Sequence, residues 1–478
     1  MPKNQNVCKK INFNDCELTI LRMAVDEAET KLGRRIVNTD EVQKIIDIVE
    51  EFIKHKHLIC YGGTAINNIL PEEDHFYDKS IEIPDYDFFS ENALNDTKEL
   101  ADIYYKKGFI NVEAKAGQHY GTYKVFVNYM AVADITQVPR QIYKVLKKDS
   151  LSVGGILYAP VNFLRMSMYL ELSRPAGDVS RWEKVLKRLA LLNKNYNVTN
   201  INCSKINFQR KMANQHDEAK IFNTLKNVLI SQGVVFFGGY ANSLYSQYMP
   251  KKYKTQIMNA ADFDVLSNDP ETTAEIIKER LDDNGIKNVK IIKHDSVGEL
   301  VPQHYEIKIG NDTVVFIYKP IGCHSYNVLH INEKKIKIAT IDTMLSFYLA
   351  FLYADRSYYN QFIDRILCMS KFLFDVQQKN RLSQKGLLKR FSITCYGHQK
   401  NIVEIKEEKS KKYKELKENK NKKEFEEWFL SYKPDNEYIS KKEKKEVSKT
   451  KKKKSKINKL PSSEIINVYG KKTRKRLY

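Results

Sequence analysis

Long apolar runs are missing from this chain. No 18 consecutive apolar residues occur in its 478, which excludes a membrane-spanning helix. The opening Met1-Pro2-Lys3-Asn4-Gln5-Asn6 has no apolar core of a secretory leader, so the expectation is a chain that stays off membranes and inside the cell. Cysteine is sparse and unpatterned, with seven residues at 8, 16, 60, 203, 323, 368 and 395 and no CxxC pair. That argues against a disulfide framework and against a cysteine-rich zinc module. Cys395-x-x-His398 and the His55, His57 pair find no matching second pair and read as ordinary side chains. GxxxxGK[ST] and GxGxxG are also absent, which argues against a P-loop NTPase, a protein kinase and a Rossmann dehydrogenase.

What is abundant is positive charge, unevenly placed. The formal net charge is +21, and residues 401–478 hold 26 Lys+Arg against 13 Asp+Glu, so the tail carries +13 and the first 400 residues +8. Lysine and arginine bind phosphates and release counterions, so the expected partner is a polyanion, nucleic acid in particular. The bland alternative is a set of solvated Lys/Glu helix faces.

One short passage occurs twice. Cys60-Tyr61-Gly62-Gly63-Thr64-Ala65 leads on to Pro84-Asp85-Tyr86-Asp87-Phe88-Phe89-Ser90, and Phe236-Phe237-Gly238-Gly239-Tyr240-Ala241 leads on to Asp262-Phe263-Asp264-Val265-Leu266. The glycine pairs lie 176 residues apart. Each copy sits in the same order of elements. A helix comes first (Thr39-Asp40-Glu41-Val42 as a capped start; residues near 206–231 in the second copy), then a short strand into the glycines. Downstream, Gln118-His119-Tyr120 and Gln303-His304-Tyr305 precede paired strands, and Pro139 and Pro320 precede long helices through Phe163–Leu170 and Met344–Leu349. So many landmarks in one order imply duplication.

The first copy can do chemistry. Asp85 and Asp87, at i and i+2 in an extended segment, direct their carboxylates to one strand face. Asp134 lies in an apolar strand, Ala131-Val132-Ala133-Asp134-Ile135, where a lone buried carboxylate would be costly. If the strands adjoin, three carboxylates supply the hard oxygens that two divalent ions need for phosphoryl or nucleotidyl transfer. Gly62 and Gly63 let phosphate approach the backbone at a helix start, with Thr64 offering a hydroxyl. In the second copy the position of Asp134 falls at Phe316, and Tyr240 replaces the small hydroxyl residue, so catalysis is not expected there. Arg181, Lys184, Lys187 and Arg188 read either as one basic helix face for triphosphate or RNA or as the solvated side of an amphipathic helix whose core side is Val185, Leu186 and Leu189.

Gly62-Gly63-Thr64, Asp85-Tyr86-Asp87 and Asp134 resemble the signature of the DNA polymerase β nucleotidyltransferase superfamily, although serine is common where Thr64 stands. More narrowly, the phrase from Tyr61 to Ser90, with Ala133-Asp134-Ile135, resembles the poly(A) polymerase catalytic subunits of large DNA viruses, poxvirus and mimivirus-like. The resemblance is sharpest over about 58–190 and reaches to about 400. It implies template-independent transfer of AMP from ATP to an RNA 3′ end. Asp85, Asp87 and Asp134 would hold Mg²⁺ or Mn²⁺, with Asp134 completing the site for the ion that activates the 3′ hydroxyl. Gly62, Gly63, Thr64, Lys184, Lys187 and Arg188 would bind ATP, and RNA and ATP would be the partners. A homodimer is implied, or a separate viral processivity subunit, at work in the host cytoplasm or viral factory and packaged in the virion in some relatives. The rival readings are another terminal transferase (CCA-adding, uridylyl or oligoadenylate type) and a non-catalytic RNA-binding scaffold.

The expected architecture is α/β (α+β), with two tandem nucleotidyltransferase-like domains. Residues 1–35 form an N-terminal helical segment, 36–200 the active domain, 201–400 a degenerate one, and 401–478 a Lys-rich, partly disordered extension comprising an appended helix and then a basic tail.

Overall fold

The computed structural model describes residues 12–435 apart from 38, 79, 82, 207, 209–211, 213–216, 252–253 and 255–262. Asp262 and the Lys-rich run 451–456 lie outside the described residues. The α/β expectation holds, because the described strands form two eight-stranded sheets with helices packed on them. The first sheet takes β1 (Ile59–Tyr61), β2 (Tyr86–Ser90), β3 (Val112–Ala116), β4 (Thr122–Val127), β5 (Met130–Gln137), β6 (Leu151–Val153) and β7 (Ile156–Tyr158). The second takes β8 (Val235–Phe236), β9 (Phe263–Leu266), β10 (Val289–His294), β11 (His304–Ile309), β12 (Asp312–Tyr318), β13 (His324–Ile331), β14 (Lys334–Ala339) and β15 (Cys395–Tyr396).

The order β3-β4-β5-β2-β1-β7-β6 in one sheet is matched by β10-β11-β12-β9-β8-β14-β13 in the other. Orientations match as well: β2 runs parallel to β5 and β1 parallel to β7, as β9 runs parallel to β12 and β8 parallel to β14. The Gln-His-Tyr triplets are not equivalent, however. His119 precedes β4, whereas His304 lies inside β11, opposite Tyr318 of β12. The triplet is therefore a coincidence within a true correspondence.

Local chemistry explains the elements that carry the site. The Thr39 side chain accepts from the Val42 amide and caps the helix Asp40–Lys56, which buries Val42, Ile45, Val49, Phe52 and Ile53. A positive φ at His57 ends it just before β1. Asn128 and Tyr129, both at positive φ, form the tight hairpin between β4 and β5. Across the two sheets, the helices Val161–Leu172 and Ile341–Phe351 pack on each other. Phe163 meets Tyr353 edge-on at 5.4 Å, and the Tyr169 hydroxyl donates to Gln377 at 3.3 Å. No helix among the described residues is long and apolar enough to cross a membrane.

Two findings depart from the sequence reading. Disulfides join Cys203 to Cys368 and Cys323 to Cys395, across 165 and 72 residues; the fold brings these pairs together, so no local spacing announces them. The extension beyond 400 is also more than a helix and a tail. Helices Ile402–Leu416 and Lys423–Phe429 lead into β16 (Ser431–Tyr432), which adds to the β3 edge of the first sheet. Trp428 packs on Tyr120 at 4.5 Å, Lys98 pairs with Glu426 at 2.7 Å, and the Ala116 amide donates to the Leu430 carbonyl at 2.9 Å. The strap thus covers an otherwise open sheet edge. Trp428→Ala should cost about 1–2 kcal/mol and speed hydrogen exchange at the Ala116 amide while sparing β1 and β2. Unchanged exchange at Ala116 would contradict this role.

Candidate active site

The glycine pair sits at the end of β1, where the chain turns into the helix Gly62–Ile69. Gly62 has φ +75°, a left-handed conformation that side chains rarely adopt, and a Cβ there would strike the Asp87 carboxylate. A Cβ at Gly63 would meet the Tyr77 hydroxyl and the Arg188 guanidinium. The two glycines therefore let an acid and a base close in on one helix start. Thr64 is buried, and its hydroxyl donates to the Asp85 carbonyl at 2.7 Å, tying the glycine turn to the acidic segment.

Asp87 lies in β2 directly opposite Asp134 in the parallel strand β5, and Asp85 immediately precedes β2. Burial, and then the Asp134 charge, raises the Asp85 carboxyl above its ordinary value, with Lys124 and Lys184 opposing. Burial, and then Asp85 and Asp134, pushes Asp87 up to about 7, with Lys124 and Arg181 opposing. Asp134 Oδ1 is buried and has no hydrogen-bond partner, while Oδ2 is ion-paired with Lys124. Among the described residues no three metal-ligating side chains are drawn into one coordination cluster, whereas the sequence reading expects the three carboxylates to converge. The donor set nonetheless suits hard divalent cations: three carboxylates on adjoining strand positions, one with an orphaned buried oxygen. A cavity of about 450 Å³ lies alongside, lined by Thr64, Asn67, Asn68, Tyr77 and Asp85 among others.

The basic helix Trp182–Asn195 is pinned beside the glycine helix. The wholly buried Arg165 donates to Asn193 at 2.8 Å and to the Tyr196 carbonyl at 2.6 Å, and Lys194 pairs with Asp74 at 2.7 Å. Arg188 reaches the site by donating to the Tyr77 hydroxyl, and its guanidinium packs on Phe76 at 4.9 Å. Lys184 and Arg181 act on the acids through their charge. Lys187 does not join them. It is exposed and paired with Glu183 at 2.6 Å, because six residues of helix, at roughly 100° each, rotate it about 120° from Arg181.

Sequence reasoning missed Lys124 and Tyr77. Nothing local marks Tyr77, which is recruited from a loop. Lys124 was hidden by a bulge between Val125 and Phe126, which shifts the hairpin register and sets Lys124 opposite Asp134.

The second sheet repeats the frame without the third acid. A Cβ at Gly238 would strike Asp264, and Asp264 lies opposite Phe316, the register position that Asp134 holds in the first sheet. Glu306 stands where Lys124 stands, opposite Phe316, and is held by His294 at 2.9 Å and by the Thr313 hydroxyl. Tyr240 is buried among Phe236 and Phe263.

In the first sheet, strand order and register bring the glycine turn and the acids together. Residues 47–178 match the family model described as poly(A) polymerase catalytic subunit. A mimivirus protein from Acanthamoeba polyphaga mimivirus, described as a candidate poly(A) polymerase catalytic subunit, is 31% identical over 179 residues, covering 36% of this chain and 30% of its own length. An African swine fever virus protein of the same description is 34% identical over 173 residues, covering 34% of this chain and 35% of its own length. The matched stretch thus spans about a third of those relatives. The crystal structure of the Megavirus polyadenylate synthase shares the fold, with a TM-score of 0.74 at 20% identity over 92% of this chain and 89% of that one.

The raised Asp87 carboxyl yields a stability test. An acid that holds its proton to about pH 7 in the folded state, against about 4 when unfolded, destabilises the fold progressively between those values and fully above pH 7. In EDTA, Asp87→Asn should therefore be more stable than wild type at pH 8, by about 4 kcal/mol, with the gap closing toward pH 4. A gap independent of pH would contradict the assignment.

Proposed function

We propose that this chain is a template-independent polynucleotide adenylyltransferase that transfers AMP from ATP to an RNA 3′ end. The observation that carries the reading is the register of Asp87 against Asp134, with Asp85 two residues before Asp87. Residues 36–200 would be the catalytic unit and residues 201–400 the degenerate one. Asp85, Asp87 and Asp134 would hold Mg²⁺ or Mn²⁺, and the orphaned Asp134 oxygen supports that role. Bound there, divalent ions lower the pKa of an attacking 3′ hydroxyl and stabilise the departing pyrophosphate.

The other groups bind and orient. Arg188 beside Gly63 brings a cation to the positive end of a helix, an arrangement unfavourable by itself and favourable once phosphate lies between them. Tyr77 and Phe76 hold the guanidinium there. Gly62 keeps Asp87 close to the same turn, and Thr64 steadies Asp85 through its carbonyl. The basic extension supplies counter-charge for RNA, in the host cytoplasm where the viral relatives point.

In primer extension with each NTP separately and Mg²⁺ or Mn²⁺, ATP should be incorporated by wild type and by Asp264→Ala. Asp87→Ala should lose at least about 10³-fold, the scale of losing an essential metal-holding or electrostatic group. Equal loss in both variants would sink the single-site reading. Preference for UTP or CTP would overturn the adenylyl assignment, and no incorporation of any NTP by wild type would favour an RNA-binding scaffold.

A homodimer is part of the same proposal. The helix Phe13–Val37 exposes Leu18, Leu21, Val25 and Leu32 at 49%, 58%, 44% and 58%, with Ala28 completing an a/d spacing suited to a second copy of itself. Light scattering should give two chains for wild type and one for the double variant Leu21→Glu, Val25→Glu. A variant that remains dimeric would remove this interface.

A further inference from the structure

Lys124 is the one cation in direct contact with the acid triad among the described ion pairs. It stands on β4 opposite Asp134, brought there by the bulge at Val125/Phe126, and its ammonium takes Asp134 Oδ2 while Oδ1 stays buried without a partner. A cross-strand pair serving only the sheet would be poorly placed here. On its other side Lys124 faces Lys115 of β3, a like charge directly opposite, which costs stability. Lys115 is occupied by its own acid, Glu113. In the second sheet lysine and aspartate are lost together, with Glu306 and Phe316 at the two positions. The lysine thus goes with the acid and not with the strand pair.

We propose that Lys124 is a built-in counter-cation of the acid triad, an alternative partner of Asp134 that competes with a divalent ion for the same carboxylate. Resting on the metal-dependent reading above, it explains how three acids are tolerated side by side. The ammonium offsets part of their repulsion, and it swings off Asp134 when an ion binds, a movement its long flexible stem allows. The cost is weaker metal affinity, because each ion must displace a charge already in place.

Calorimetric titration of Mn²⁺ at fixed pH tests this on the full chain. Lys124→Met should bind Mn²⁺ with a Kd about fivefold lower than wild type, the scale of a partly exposed ion pair. Lys124→Gln should behave alike and guards against a folding defect in one variant. Lys371→Met, which removes the same charge from a distant surface pair with Asp375, should leave the Kd unchanged. Equal or weaker binding by both Lys124 variants would overturn the proposal. If Asp134→Asn titrates like wild type, or wild type binds no Mn²⁺, the metal-dependent reading itself falls and this inference with it.

Discussion

Laying Asp87 beside Asp134 on parallel strands is the constraint from which the acidic site follows. Two carboxylates about 5 Å apart at an effective dielectric near 20 repel by roughly 3 kcal/mol, a large part of a domain's net stability. Asp85 adds a third charge. The surroundings answer that repulsion piece by piece: Asp87 holds its proton to about pH 7, Lys124 takes one oxygen of Asp134, and Lys184 and Arg181 lend more distant charge. The glycines belong to the same constraint, since a side chain at Gly62 would evict Asp87. A site strained in this way gives up stability for a place that cations and phosphates will occupy.

The second sheet works as an internal control. It keeps the strand order, the orientations and the bulge, here between Ile307 and Lys308. It even keeps the close approach of Gly238 to Asp264. What it replaces is the charge set: phenylalanine for the third acid, glutamate for the lysine, tyrosine for the small hydroxyl residue. Phe316 packs on Tyr358 at 5.7 Å and Tyr240 on Phe236 at 5.0 Å, so aromatic packing stands at the positions of Asp134 and Thr64. The helices Val161–Leu172 and Ile341–Phe351 join the two sheets along a shared core.

Much of this was legible in the sequence because it rests on short-range periodicity. The capped helix after Thr39, the hairpin at Asn128-Tyr129 and the acid pair all follow from spacing, and Phe316 was read as the counterpart of Asp134 from strand position alone. What stayed hidden depends on register, rotation or distant partners. Counting back from the hairpin turn sets Lys124 opposite Ala133, and only the bulge corrects it to Asp134. Lys187 is placed on the basic face by its i, i+3, i+6, i+7 spacing, a pattern too coarse to register helical rotation, and it pairs with Glu183 instead. The disulfides and the strap ending in β16 join segments 72 to 318 residues apart, and Tyr77 reaches Arg188 from a loop with no pattern of its own.

In the proposed function only the first sheet works, and the location of bound metal tests this most directly. Crystals soaked in Mn²⁺ and measured at the manganese edge should show anomalous density among Asp85, Asp87 and Asp134 and none between Asp264 and Phe316. Density at Asp264, or none at the first site while other ions bind elsewhere, would contradict it.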